Sequence, residues 1–249
     1  MRTLFFSAAA ALLLVCSCAG PLPQDELAWV EEGDFWIDRY EVTVGAFREF
    51  VETTGYRTTA DSLGWSGVFD LSLPGWAVAD GANWEFPDGQ TAAEAREPVR
   101  HISYYDACAY CAWKGGALPT ADEWDLAAGP EVLPGNIWHG RFPFRDDGDD
   151  GYTARIAPVG KFSPNELGLY DMFGNVWEWT QTRFDGERHG SAFIAGQLTP
   201  ETIESGRIIK GGSYLCDHRV CSGFIPERFQ VTPEDSGLDH LGFRCVYRP

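Results

Sequence analysis

The sequence has 249 residues, enough for one large domain or two small ones, and its formal net charge is −18. This charge argues against nucleic acid as a partner, because phosphate binding needs clustered Lys and Arg residues and none cluster here. The ten Trp and 28 Gly residues indicate an irregular, loop-rich fold rather than a helical bundle. No linker divides the chain, so we predict one α+β domain with much irregular structure.

The first residues form a targeting segment. Arg2 supplies its charged end, residues 4–15 are mainly apolar, and small residues follow. The apolar stretch is too short to cross a bilayer, which needs about 20 residues. The segment therefore predicts an exported protein.

Residues 14–18, with the sequence LVCSC, resemble a bacterial lipobox. The resemblance predicts a signal peptide over residues 1–17, cleavage before a lipidated Cys18, and a short tether over residues 18–30. The protein would then be attached to the bacterial cell envelope only through its lipid. The alternative is ordinary signal cleavage near Ala19, followed by soluble secretion.

Three helices can be predicted after the signal. Residues 35–42 first alternate large apolar and polar side chains, as a half-buried strand does. A helix follows between Thr43, a good N-cap, and Gly55, a good stop signal. A second helix covers residues 103–113, and a third begins after Thr120, where acidic residues favour the positive end of the helix dipole.

The remaining chain has weaker signals. Residues 58–96 are rich in Gly, Asp, Ser and Trp and are predicted to form a long ordered loop. After Gly129 no long periodic segment occurs. Short strand-like runs such as residues 207–210 stand between Gly-rich turns.

The number of cysteines indicates a reactive or metal-binding thiol. Outside the signal the sequence has an odd number of cysteines, so at least one thiol is unpaired in an oxidising compartment. They are Cys108, Cys111, Cys216, Cys221 and Cys245. An odd count in an exported protein indicates a reactive thiol, an intermolecular bond or a metal ligand.

Several segments spread over nearly the whole mature chain form a pattern. In chain order they are FWIDRYEV (35–42), GANW (81–84), PV with IS (98–99, 102–103), ALPTADEW (117–124), GLYDMFGNVWEWT (168–180), KGGSY (210–214) and LGFRC (241–245). Together these segments resemble the formylglycine-generating enzyme family, also called sulfatase-modifying factors. The resemblance implies a monomeric domain over residues 31–249 with a variant of the C-type lectin fold.

The resemblance assigns the two active-site cysteines of the family to Cys216 and Cys221. Two thiolates suit a soft ion such as Cu(I), which accepts a two-sulfur site. The implied activity is a copper-dependent oxidation by O2 that converts a cysteine of a sulfatase-type client, in the motif Cys-x-Pro-x-Arg, to formylglycine. The alternative is a plain structural disulfide between Cys216 and Cys221.

Further site residues are implied by the same resemblance. Ser213 matches an active-site serine and Arg228 an active-site arginine. The simpler alternatives are a tight-turn residue for Ser213 and a solvated charge for Arg228. Cys111 and Cys245 match a family disulfide that joins the second helix to the last strand, whereas Cys108 has no counterpart and is expected to be a buried small residue.

Two calcium sites are also implied. Oxygen-only ligand sets with main-chain carbonyls suit Ca²⁺. The first set is Asn136 and Asp150 with the carbonyls of Ile137 and Tyr152, and the second is Asp171 and Glu178 with the carbonyls of Gly174 and Val176. For the first set the alternative is a solvated acidic turn over residues 146–150.

Three functions from different classes remain open. The leading one is the copper oxidase acting on a peptide cysteine. The second is a non-catalytic, lectin-like binding or assembly lipoprotein on the same scaffold, which copper binding would distinguish. The third is a non-haem iron oxidase, which needs a histidine-rich site. The histidines show no close ligand pattern in the sequence; they are His101, His139, His189, His218 and His240.

Overall fold

The computed structural model describes residues 24–185 and 206–249. The predicted signal peptide, Cys18 and His189 lie outside the described residues. The described part is a single α+β domain with short sheets, few helices and long irregular segments. The predicted α+β class is therefore confirmed.

The helices begin where the sequence places capping residues. Thr43 accepts a hydrogen bond from the Ala46 amide at the start of the first helix. Ser103 and Thr120 each form a capping box with the acidic residue three positions later, which satisfies main-chain N–H groups that a helix start leaves free. The helices are α1 (Val44–Thr54), α2 (Thr59–Leu63), α3 (Tyr104–Trp113) and α4 (Ala121–Ala128).

The strands form four small sheets. The first has the order β1-β2-β11, the second β10-β7-β8-β9, and β3-β4 and β5-β6 are two-stranded. Within the second sheet β10 runs parallel to β7, and the other pairs are antiparallel. The strands are β1 (Leu27–Val30), β2 (Phe35–Asp38), β3 (Trp65–Asp70), β4 (Gly75–Asp80), β5 (Gly140–Arg141), β6 (Arg145–Asp146), β7 (Trp177–Arg183), β8 (Gly206–Lys210), β9 (Gln230–Pro233), β10 (Leu241–Gly242) and β11 (Val246–Tyr247).

Aromatic side chains dominate the core. Phe47 of α1 packs on Phe50, Trp84, Tyr110 and Phe243, with ring centroids between 5.4 and 6.4 Å apart. Burial of such large rings supplies much of the free energy of folding, and tilted or edge-on contacts add to it. The core therefore joins the helices to the segment that precedes the last strand.

Two regions differ from the sequence predictions. Residues 58–96 are not a long loop: they contain α2, capped by Thr58, and the hairpin β3-β4. Residues 27–30, predicted as part of the tether, form β1 and pair with β2 in full register. The predicted boundary between tether and domain thus lies too late in the chain, because Leu27, Ala28 and Val30 of β1 bury apolar side chains in the core.

A disulfide fixes the C-terminal strand to a helix. Cys111 of α3 is bonded to Cys245, which directly precedes β11, across 134 positions of sequence. Both residues are fully buried. The bond is the one implied by the family resemblance, and it closes a long loop in the unfolded chain.

We expect the double variant Cys111→Ala/Cys245→Ala to lose about 2–5 kcal/mol of unfolding free energy, because the unfolded chain regains the entropy of an open loop. Urea denaturation measures this loss. Cys108→Ala, which removes a half-buried thiol of α3 without breaking a bond, is the matched control. Equal denaturation midpoints for the double variant and the wild type would contradict the assigned role.

Candidate active site

A glycine turn presents the cysteine segment. Strand β8 ends at Lys210, and Gly211 and Gly212 then take φ values of 93° and 75°, which favour glycine. A Cβ on Gly212 would lie 2.6 Å from the amide nitrogen of Phe224. The turn therefore needs glycine at Gly212 to bring Ser213 beside the segment that follows Cys221.

The turn places two cysteines beside a serine. Cys216 and Cys221 are joined in a disulfide, and Cys216 is 1% exposed. The hydroxyl oxygen of Ser213 lies 3.9 Å from Sγ of Cys216. Ser213 and both cysteines line a cavity of about 140 Å³. The structure thus brings together three of the four predicted catalytic residues.

Arg228 is the predicted catalytic residue that does not reach this cavity. Its guanidinium donates a hydrogen bond to the hydroxyl of Ser222, the residue after Cys221. The side chain is half-buried, so it is not a solvated surface charge. From this position Arg228 can support the loop that carries Cys221.

The other walls of the cavity come from distant parts of the chain. Aromatic side chains and a histidine share it with the cysteines; they include Phe69, Trp76, Phe142, Trp177 and His240. A Cβ on Gly223 would lie 2.1 Å from the Trp177 ring, so the glycine lets the cysteine loop pack on that ring. None of these side chains was among the predicted site residues. The one available signal was Trp, since three of the ten Trp residues lie in the 58–96 segment.

A buried polar group connects the hairpin to the cavity. Asp239 accepts hydrogen bonds from the amide of Phe69 at 2.8 Å and from the hydroxyl of Tyr214 at 3.4 Å, and it lies 3.5 Å from the His240 ring. Burial raises the pKa of Asp239, but the contact with His240 and the hydrogen bond from the Phe69 amide outweigh burial and hold that pKa below its ordinary value. Asp239 therefore fixes β3 against the cysteine segment as a charged group.

The predicted calcium ligands lie in two places. In the first set, the carboxylate of Asp150 accepts hydrogen bonds from the amides of Ile137 and Tyr152, and the side-chain amide of Asn136 donates to the Arg155 carbonyl. Asp150 is thus anchored in the fold rather than free in a solvated turn. Calcium at this set stays a prediction.

In the second set, Glu178 has a protein partner. Its two oxygens accept hydrogen bonds from the guanidinium of Arg244 at 2.7 and 2.8 Å, and one also accepts from the Trp124 indole at 2.8 Å. The other carboxylate, Asp171, has one oxygen that is buried with no hydrogen-bond partner in the described part of the chain. Burial raises the pKa of Asp171 to about 6. Calcium at this set also stays a prediction, and it would have to share Glu178 with Arg244.

Comparison with known proteins identifies the family. Residues 23–249 match the family described as "Sulfatase-modifying factor enzyme 1-like domain". The chain belongs to this family. It is 39% identical to a formylglycine-generating enzyme of Thermomonospora curvata, over 86% of this chain and 82% of that protein. It is also 36% identical to a bovine protein named inactive Cα-formylglycine-generating enzyme 2, over 85% of this chain and 76% of that protein.

A solved structure shares the fold. PvdO from Pseudomonas aeruginosa superposes with a TM-score of 0.59 at 22% identity, covering 86% of this chain and 80% of that one. The family relationship supports an oxygen-dependent oxidoreductase role for this chain.

The donor set of the cavity fits a soft metal ion. The buried Cys216 and the half-buried Cys221 lie in one short loop, and the adjacent walls are largely apolar. Such a pair binds Cu(I) only as thiolates, so the disulfide has to be reduced before metal can enter. Elsewhere in residues 24–185 and 206–249, no three His, Cys, Asp or Glu side chains are placed together to hold a metal ion. Within the same ranges no helix is long and apolar enough to span a bilayer.

We expect Glu178→Gln to lower the free energy of unfolding by about 3–5 kcal/mol, because Arg244 would keep its charge in a site where it is fully buried. Urea denaturation is the measurement. The control is Arg248→Gln, which breaks an ion pair with Glu123 in which the arginine side chain is 45% exposed. The control is expected to cost at most about 1 kcal/mol. Equal losses for the two variants would contradict the central role of the buried pair.

Proposed function

We propose that this protein oxidises a cysteine of a client polypeptide to formylglycine, with O2 as oxidant and with Cys216 and Cys221 as the ligands of Cu(I). The observation that supports the proposal is the placement of both cysteines and Ser213 in the wall of one small, largely apolar cavity. A client with the motif Cys-x-Pro-x-Arg is the substrate that the family relationship suggests. The variant C-type lectin fold belongs to the same proposal, supported by the short sheets and the long irregular segments.

The residues of the cavity have distinct tasks in this proposal. When bound, copper supplies the affinity for a third thiolate and the activation of oxygen. The hydroxyl of Ser213, next to Cys216, can hydrogen-bond a sulfur ligand or the client thiol. The rings of Trp76, Phe142 and Trp177 exclude water and hold the client β-carbon in place.

The reaction has a defined electron balance. Loss of two electrons and two protons, one of them from the β-carbon, converts the client thiol to a thioaldehyde. Water then adds to the carbon and hydrogen sulfide leaves, which gives the aldehyde. Reduction of O2 to water takes four electrons, so a thiol reductant supplies the other two and is oxidised to a disulfide. The same class of reductant would open the Cys216–Cys221 bond.

A non-catalytic binding function is the second candidate, because the disulfide in the structure favours it. A permanent Cys216–Cys221 bond would leave no thiolate for copper, and one relative carries a name that marks it as inactive. Copper uptake by the reduced protein distinguishes the two functions. The iron-oxidase alternative has no supporting donor set in the described residues, where no cluster of His, Cys, Asp and Glu side chains is placed for a metal.

We expect the reduced, Cu(I)-loaded protein to convert the cysteine of a Cys-x-Pro-x-Arg peptide to the aldehyde in the presence of oxygen. Mass spectrometry of the peptide measures the change. Cys216→Ser and Cys221→Ser should each abolish conversion, because a two-sulfur site loses a ligand in either variant. Cys108→Ser, which changes a thiol outside the cavity, should convert the peptide like the wild type. Copper uptake by the wild type without conversion of this peptide would contradict the assignment of the client motif.

We also propose that the protein is exported and lipid-anchored to the bacterial cell envelope through Cys18. The support is the targeting segment and the lipobox-like sequence that ends at this residue. Palmitate labelling in a bacterial host should mark the wild type and leave Cys18→Ala unlabelled. Cys16→Ala, which changes the neighbouring cysteine, should remain labelled. Labelling of the Cys18 variant at the wild-type level is the result that excludes this anchor.

A further inference from the structure

The hairpin β3-β4 has a defined pattern of main-chain hydrogen bonds. The Gly81 amide donates to the Gly64 carbonyl at 2.8 Å, so these opposite residues belong to the hydrogen-bonded set of the ladder. In an antiparallel pair such residues alternate with pairs whose N–H and C=O groups point away from the partner strand. The outward pairs are therefore Trp65 with Asp80, Gly67 with Val78 and Phe69 with Trp76.

The outer edge of β3 confirms this pattern. The Gly67 amide donates to the Gly237 carbonyl, the Gly67 carbonyl accepts from the Asp239 amide, and the Phe69 amide donates to the Asp239 carboxylate. On this side of the hairpin, both main-chain groups of Gly67 and the amide of Phe69 therefore have partners. The alternation that the Gly64–Gly81 hydrogen bond predicts is therefore observed along the outer edge of β3.

The outer edge of β4 is different. The N–H and C=O groups of Trp76 and Val78 have no hydrogen-bond partner in residues 24–185 and 206–249. Their side chains are also open, with 46% of Trp76 and 63% of Val78 exposed. Proteins normally protect a free strand edge, because it is a template for pairing with another chain. An edge that the described residues leave open in this way indicates a partner.

The hairpin lines a groove and also the cavity of the cysteines. Residues 68–71 and 77–79 of the hairpin line a groove of about 670 Å³, together with Pro87 and residues 91–93. Phe69 lines this groove and also the cavity of Cys216 and Cys221. Trp76, the first residue of the free edge, lines the cysteine cavity itself. A chain lying along β4 would therefore pass the site of oxidation.

We infer that the client segment next to the target cysteine binds as an added β-strand on the edge of β4, pairing its main chain with Trp76 and Val78. The N–H and C=O groups of Trp76 and Val78 supply two donors and two acceptors. Their spacing of two residues matches the main chain of an extended peptide, whatever its side chains are. The strand pairing gives affinity without sequence, and specificity comes from the side chains that enter the groove and the cysteine cavity. This inference rests on the proposed oxidation of a client cysteine.

A backbone N-methyl series of the peptide tests the pairing. The probe is a labelled client peptide with serine in place of its cysteine, methylated at one main-chain nitrogen at a time, and fluorescence anisotropy measures its affinity for the wild-type protein. Methylation at alternate positions should weaken binding about three- to tenfold, because each methyl removes one hydrogen bond to β4. Methylation at the positions between them should leave the affinity unchanged. A uniform effect, no effect, or no binding of the parent peptide would each overturn the inference.

A variant tests the same edge from the protein side. Val78→Pro removes an N–H that the hairpin itself does not use, a position that tolerates proline at a sheet edge. Val78→Thr keeps the N–H and is the matched control. The proline variant should raise KM for the cysteine peptide about three- to tenfold with kcat unchanged, and the threonine variant should match the wild type. If the wild type and both variants convert the peptide with the same KM, strand pairing is excluded and the oxidase function is retained. Absence of conversion in the wild type would instead count against the proposed function, and the anisotropy series would still decide the strand pairing.

Discussion

The buried ion pair of Arg244 and Glu178 is the interaction on which the rest of the structure depends. Arg244 is fully buried and Glu178 almost so, and the guanidinium also donates to main-chain carbonyls of Asp38, Arg39 and Tyr170. Charges taken out of water are stable only where such bonds satisfy them. The pair therefore ties together the end of β2, strand β7 and the segment before β11.

The position of the cysteines follows from that frame. Glu178 lies opposite Lys210 in the pairing of β7 with β8, so fixing β7 also fixes the end of β8. The glycine turn starts there and carries Ser213 and Cys216. The Tyr214 amide, which donates to the Asn175 carbonyl, holds the turn against the segment before β7. A rigid scaffold thus carries an irregular loop, which is the usual arrangement at sites that bind or react.

Local signals made part of this structure predictable. The helix starts at Thr43, Ser103 and Thr120 follow from capping chemistry that involves only neighbouring residues. The hairpin β3-β4 was missed because its two six-residue strands, of which β4 is largely exposed, lack a regular alternation of apolar and polar side chains. Strand β1 was missed because only four residues precede the next turn, and their pairing with β2 is a tertiary contact.

In the candidate site, too, the features that depend on neighbouring residues were predictable and the tertiary contacts were not. The cysteine segment was predictable because its motif is local in sequence. Its walls were not, since Trp76, Phe142 and His240 reach the cavity from separate elements of the fold. The partner of Glu178 was not predictable either. A ligand motif in the sequence does not reveal that Arg244, 66 positions later, forms an ion pair with the same carboxylate. The state of the cysteine pair is a matter of redox conditions, which no sequence pattern specifies.

X-ray absorption spectroscopy of the reduced protein, loaded with one equivalent of Cu(I), tests the copper site directly. Coordination by Cys216 and Cys221 predicts a first shell made only of sulfur, with two ligands from the protein. This shell should be lost in Cys216→Ser and in Cys221→Ser and kept in Cys108→Ser. A shell of nitrogen or oxygen ligands, or a two-sulfur shell that persists in both cysteine variants, would contradict the assignment of this cavity as the centre of oxidation.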